Sequence, residues 1–158
     1  MGSSSTHIFN IAQWAYVNPF KLLFETSGGS GYDIACAQAE GPIFYQLKEK
    51  MPTWSLVDFN PSFKENLYFV YLGTKKDSGQ AVKDYRERGA ASKDIINIIN
   101  ALTKAMAVAD DLREFEELLI EHEDVVSRYM GLEPIKKTTV SDFWGTIKSL
   151  GAWGGDFA

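Results

Sequence analysis

Three short segments hold the residues whose types and spacing could do chemistry: Gly2-Ser3-Ser4-Ser5-Thr6, Ser27-Gly28-Gly29-Ser30-Gly31-Tyr32-Asp33 and Gly151-Ala152-Trp153-Gly154-Gly155-Asp156. Each sets glycines beside hydroxyls or a carboxylate. Glycine lets backbone N–H groups approach an anion with no Cβ in the way, and a helix N-terminus adds unpaired donors and the positive end of the helix dipole. The first segment precedes a helical pattern and is therefore a candidate phosphate cradle; the same residues would also serve as a plain N-cap. Asp33 stands two residues past Gly31, where its carboxylate can face a bound hydroxyl and act as a general base. The alternative for Asp33 is that it caps the helix it begins.

The elements that must position these segments follow from periodicity. From Ser3 to about Tyr16, Ile8, Ile11, Ala12 and Ala15 recur at helical spacing behind the hydroxyl run. Asn18-Pro19 stops that helix, and Pro19 opens a second, Phe20 to Glu25, which ends at the glycine cluster Gly28–Gly31. A third short helix is expected over Tyr32–Ala37. Three β-like runs follow, Ile43–Leu47, Thr53–Val57 and Asn66–Leu72, and are expected to pair as one antiparallel sheet. Beyond Gly73, helical periodicity covers Ala81–Arg88, Ser92–Ala109, Asp111–Met130 and Val140–Lys148. In the two long segments Ile95, Ile98, Ile99, Leu102 and Met106, and then Leu112, Phe115, Leu118, Leu119 and Val126, form apolar stripes that read as core. The expectation is an α+β fold with an antiparallel sheet, packed helices and a mostly helical second half, divided at 1–72 and 73–158.

Composition removes several classes of function. The chain has 158 residues, 45% of them apolar, with 16 basic and 21 acidic side chains and a net charge of −5. That charge repels a polyphosphate backbone on average, so nucleic acid is not an expected partner. No stretch approaches the roughly 20 apolar residues of a membrane-spanning helix. The single Cys36 forms no internal disulfide, and His7 and His122 are too far apart for a zinc spacing. These features together point to the reducing cytoplasm.

Taken in order, the three segments resemble the motifs of the GHMP small-molecule kinases, named for galactokinase, homoserine kinase, mevalonate kinase and phosphomevalonate kinase. Gly2-Ser3-Ser4-Ser5 looks like the end of their Pro-x-x-x-Gly-Leu-Gly-Ser-Ser phosphate loop. Gly29-Ser30-Gly31-Tyr32-Asp33 is similar to their Gly-Ser-Gly-x-Asp segment. Lys148-Ser149-Leu150-Gly151-Ala152-Trp153-Gly154-Gly155-Asp156 is similar to their third motif, Lys-x-Ser-Gly-Ala-Gly-Gly-Gly-Asp. The mevalonate and phosphomevalonate kinases look nearest, and Gly31-Tyr32-Asp33-Ile34-Ala35 resembles a bacterial branch labelled by that pentapeptide. The resemblance implies that Gly2, Ser3, Ser4 and Ser5 wrap the phosphates of ATP, with Ser4 helping to hold Mg²⁺. It implies that Asp33, with Ser30 nearby, orients or deprotonates the hydroxyl of a small-molecule phosphoryl acceptor, and that Gly151, Ala152, Gly154 and Gly155 support the phosphate loop. Phosphoryl transfer depends mostly on positioning and charge neutralisation, so glycine loops, a metal and one carboxylate suffice chemically.

The chain also departs from the family pattern. Trp153 stands where many members have glycine, and Leu150 stands at the motif's usual serine. Glu25 is the nearby acidic residue that could match the family's upstream metal-binding glutamate, at a different spacing. Lys75, Lys76 and Ser78 follow the third β-like run where related kinases place a loop near the reacting groups. Family members extend beyond both ends of this sequence, so the chain is expected to be an internal slice of a kinase about twice as long, with an incomplete ferredoxin-like second domain. On that expectation it is inactive alone and self-associates through apolar faces. The alternative is a non-catalytic kinase-like segment whose long helices serve in assembly.

Overall fold

A computed structural model describes residues 3–73, 78–151 and 157–158. Among them the fold is α+β, with seven α-helices and one two-stranded antiparallel sheet. The chain forms two compact units, Met1–Phe59 and Asn60–Ala158. Residues 60–72 thus belong with the helices that follow them, rather than with the sheet that precedes them.

In the first unit, α1 spans Ser3–Ala15, α2 Pro19–Thr26 and α3 Tyr32–Gln38. The α1 helix ends where Tyr16 turns to a left-handed φ of 55°. Asn18 then caps α2, its side-chain oxygen accepting from the Lys21 N–H at 3.0 Å, with Pro19 at the first helical position, where a missing N–H costs nothing. Strand β1, Ile43–Lys48, pairs with β2, Met51–Leu56, through the two-residue turn Glu49-Lys50. Both turn residues are left-handed, as a tight hairpin of right-twisted strands demands. Ala12, Leu23, Ile34 and Ala35 from the three helices make the buried core of this unit.

In the second unit, α4 spans Ser78–Glu87, α5 Lys93–Val108, α6 Leu112–Met130 and the single turn α7 Ile135–Thr138. Ser92 caps α5 and Asp111 caps α6, each accepting from the N–H three residues on. Gly131, left-handed, ends α6. Leu102, Phe115, Val125 and Met130 are buried, and Phe63 packs its ring 5.0 Å from that of Phe115.

Two expected elements do not form. Asn66–Leu72 does not join the sheet; Val70 instead exchanges both backbone hydrogen bonds with Ala158, and Tyr71 bridges Phe157. Its β-like composition found an extended partner at the far end of its own unit. Val140–Lys148 is irregular apart from a turn at Ser141-Asp142. Here the Lys136 ammonium donates to the carbonyl of Phe143 and, at 2.9 Å, to that of Gly145. Carbonyls a helix would pair internally are taken by a lysine, next to the β-branched run Thr138-Thr139-Val140.

Candidate functional site

The site of the first unit lies where the first turns of α1 and α3 meet. Gly31 is the N-cap of α3, with a φ of 83°, and Asp33 sits in the helix's first turn. A Cβ added to Gly31 would come within 3.1 Å of the Tyr45 hydroxyl and 3.2 Å of Phe20 Cδ1, so both the φ and the space require glycine. Tyr45 on β1 holds the glycine loop by donating its hydroxyl to the Ser30 carbonyl at 2.6 Å. Its phenol is pushed up by burial. The loop is thus fixed from two sides, by α2 through Phe20 and by the hairpin through Tyr45.

From this platform the Asp33 carboxylate reaches across to α1 and accepts from the Ser5 hydroxyl at 3.5 Å. Asp33 is exposed and is not the residue that caps its helix. Its charge is felt by its neighbours: burial and then the Asp33 carboxylate push the Tyr32 phenol up to about 12. The same two causes, in the same order, raise the Cys36 thiol. Ser5, Tyr32, Asp33 and Cys36 therefore share one small region. Backbone donors of the first turn of α1 and a carboxylate stand side by side there, which suits an anion's oxygens and a hydroxyl about to lose its proton.

The other expected site residues fall as follows. Ser3 and Ser4 begin α1, and their side chains lie outside the described residues, as does all of Gly2. The Ser30 hydroxyl accepts from the Tyr32 N–H at 3.5 Å and so serves its own loop. Glu25 is exposed on α2, 4.0 Å from the Lys21 ammonium, beside a depression that Lys50 also lines, a setting of positive charge. Gly151, left-handed, belongs to the second unit. Ala152, Trp153, Gly154 and Gly155 lie outside the described residues, as do Lys75 and Lys76. Among the described residues no group of three or more His, Cys, Asp and Glu side chains is gathered to hold a metal ion. A magnesium ion needs no such group, because it keeps waters and phosphate oxygens and takes only one or two ligands from protein. The oxygens of Ser5 and Asp33 are the hard donors it prefers.

Two contributors were missed by sequence reasoning. Cys36 is three residues from Asp33 on one helix, a spacing that could have placed it on the same face. Tyr45 had no local signal, since it meets Ser30 only through the fold. In the second unit Ser149 of the third motif is buried and Lys148 half-buried: the Ser149 hydroxyl donates to Glu123 Oε1 at 2.8 Å, and the Lys148 ammonium stands 3.9 Å from Glu123 Oε2. Among the described residues no helix is long and apolar enough to cross a membrane. No protein-family model, no curated protein and no solved structure matches the chain.

Proposed function

We propose that the chain carries the phosphate loop and acceptor carboxylate of an ATP-dependent small-molecule kinase, similar to the mevalonate and phosphomevalonate kinases. The reaction would move the γ-phosphoryl group of ATP to a hydroxyl or phosphate of a small metabolite. The observation that carries this reading is the contact between Ser5 on the first turn of α1 and Asp33 on the first turn of α3. It puts a helix N-terminus, which favours anions, beside a carboxylate, which favours a hydroxyl proton, and phosphoryl transfer needs both.

In this reading the N–H groups at the start of α1 and the hydroxyls of Ser4 and Ser5 bind phosphate oxygens, and Ser4 and Asp33 offer oxygens to Mg²⁺. That ion, when bound, neutralises phosphate charge. Asp33 orients the acceptor hydroxyl and takes its proton. Tyr45 and Phe20 keep the glycine loop, and with it Asp33, in place.

Steady-state kinetics on the full-length protein, with ATP and a panel of hydroxylated and phosphorylated metabolites, test the assignment. Asp33→Asn is expected to lower kcat by roughly 100-fold or more with nucleotide affinity nearly unchanged, because the amide keeps the shape but accepts no proton. Ser4→Ala is expected to weaken Mg-nucleotide binding instead. Equal and small effects of both would favour a non-catalytic assembly role.

A further inference from the structure

In the second unit a cavity of about 490 Å³ opens between α5, α6 and residues 148–151. Its walls are mainly apolar, built from Ile95, Ile99, Val125, Val126 and Met130. That volume is in the range that accepts a small organic molecule. Among the described residues the wall carries one cation, Lys148, and no carboxylate. The Lys148 side chain is only 18% exposed, and its ammonium has three N–H donors to place. One goes to the Ser149 carbonyl at 3.0 Å. The carboxylate beside it, Glu123, stands off the wall and 3.9 Å away, beyond hydrogen-bond reach. Glu123 is engaged instead by the Ser149 N–H at 3.3 Å and the Ser149 hydroxyl at 2.8 Å. Two ammonium donors therefore have no acceptor among the described residues. A largely buried cation so poorly satisfied is costly, and burial accordingly pulls the Lys148 pKa down against the opposing pull of Glu123. An occupant that brings an anionic acceptor recovers part of that cost.

We propose that this cavity binds an apolar molecule with a single carboxylate head, its body among the α5 and α6 side chains and its head on the Lys148 ammonium. Charge and hydrogen bonding select that head. A carboxylate accepts only, which matches an ammonium that donates only. An ammonium head would meet a like charge, and a neutral head would leave the cation without its counter-charge. A doubly charged phosphate would bring more charge than one cation can balance, and Glu123 already shares that cation. His122, also on the wall, adds no second cation at pH 7, since burial and then Lys148 lower it to about 4. The site is independent of the phosphoryl-transfer reading, and either can fail without the other.

The 158-residue chain can be titrated at pH 7 by calorimetry with four probes of one shape: biphenyl-4-carboxylate, biphenyl-4-carboxamide, 4-phenylbenzylamine and biphenyl-4-yl phosphate. The carboxylate should bind about tenfold more tightly than the carboxamide, the worth of a charge-assisted hydrogen bond, and the amine should bind most weakly. The phosphate should gain nothing over the carboxylate. Nuclear Overhauser contacts from the biphenyl rings to the methyl groups of Ile95, Ile99 and Val126 should place the probe in the cavity rather than on exposed aromatic surface. Lys148→Met, folded by circular dichroism, should bring the carboxylate down to the affinity of the carboxamide and leave the carboxamide unchanged. If that variant does not fold, the probe series and the methyl contacts on the unaltered chain still decide. Equal affinities for carboxylate and carboxamide, tightest binding of the amine or the phosphate, or methyl contacts elsewhere would each overturn the proposal. So would undiminished carboxylate binding in folded Lys148→Met, or no carboxylate binding up to its solubility limit.

Discussion

Glu123 is 4% exposed, and three groups converge on it: the Ser149 N–H, the Ser149 hydroxyl and the Lys148 ammonium. Removing it would leave a cation and two donors without their acceptor. Glu123→Ala should therefore cost about 3–5 kcal/mol of stability, measurable by denaturant unfolding, while Glu123→Gln should cost less because it keeps an acceptor for Ser149. Nearby His122 gives the unit a pH dependence whose sign is fixed. Its folded value, about 4, lies below the ordinary 6.5, so between these the unfolded chain binds a proton that the native chain refuses. Stability should be at its plateau above pH 6.5 and fall as pH drops toward 4. The loss should be about 1–2 kcal/mol, reduced from the full linkage value because solvent reaches part of the ring. Unfolding curves at pH 7, 5.5 and 4.5 would show it, and His122→Leu should flatten the profile.

At the scale of elements, the glycine loop before α3 is held by few but specific contacts. Tyr45→Phe should cost about 1 kcal/mol by orphaning the Ser30 carbonyl. Gly31→Ala should cost about 2–3 kcal/mol, since the left-handed φ and the nearby Tyr45 and Phe20 atoms both oppose a Cβ. Thermal melts compared with the unaltered chain test both. What the sequence made legible here was local. Asn18-Pro19, Gly31 and Asp111 announce helix boundaries through their own backbone preferences, and α1, α2, α3, α5 and α6 lie close to where periodicity put them. The pairing of Asn66–Leu72 was illegible because β-propensity names no partner, and the available one lay at Phe157-Ala158. The irregular Val140–Lys148 segment misled because its apolar spacing suits a helix, while the Lys136 bonds that oppose one come from outside it. The sequence singles out Asp33 as the carboxylate that follows Gly31, but not its Ser5 contact across the helices; Tyr45, which bonds the Ser30 carbonyl of the same loop, is brought there only by the hairpin.

For the molecule as a whole, burial is uneven and much aromatic surface faces water. Among its described residues the first unit buries only a handful of apolar side chains, Ala12, Pro19, Leu23, Ile34 and Ala35, while Trp14 is 83% and Tyr16 97% exposed. In the second unit Phe69 is 81% and Trp144 94% exposed. Large exposed aromatics favour association, so light scattering should show a mass that rises with concentration and falls when Trp14 and Tyr16 are replaced by Ser. A mass that stays monomeric across the range would count against it. The small core of the first unit also implies that its amides exchange with deuterium before those of α5 and α6.

The reciprocal backbone pair between Val70 and Ala158 carries a consequence for the order of events during synthesis. The four described α-helices of the second unit, α4 to α7, lie between these two residues, so the first is made long before the second. While the chain is being synthesised, the extended segment around Val70 has no mate, and its Tyr68, Phe69 and Tyr71 side chains wait in the open. The clasp closes last, after the α5–α6 hairpin has formed from nearby sequence. Pulse-labelled refolding should therefore protect the amides of α5 and α6 early and those of Val70 and Ala158 late. Until that moment the nascent chain presents an unpaired, aromatic strand edge to whatever chaperone or neighbouring copy is at hand.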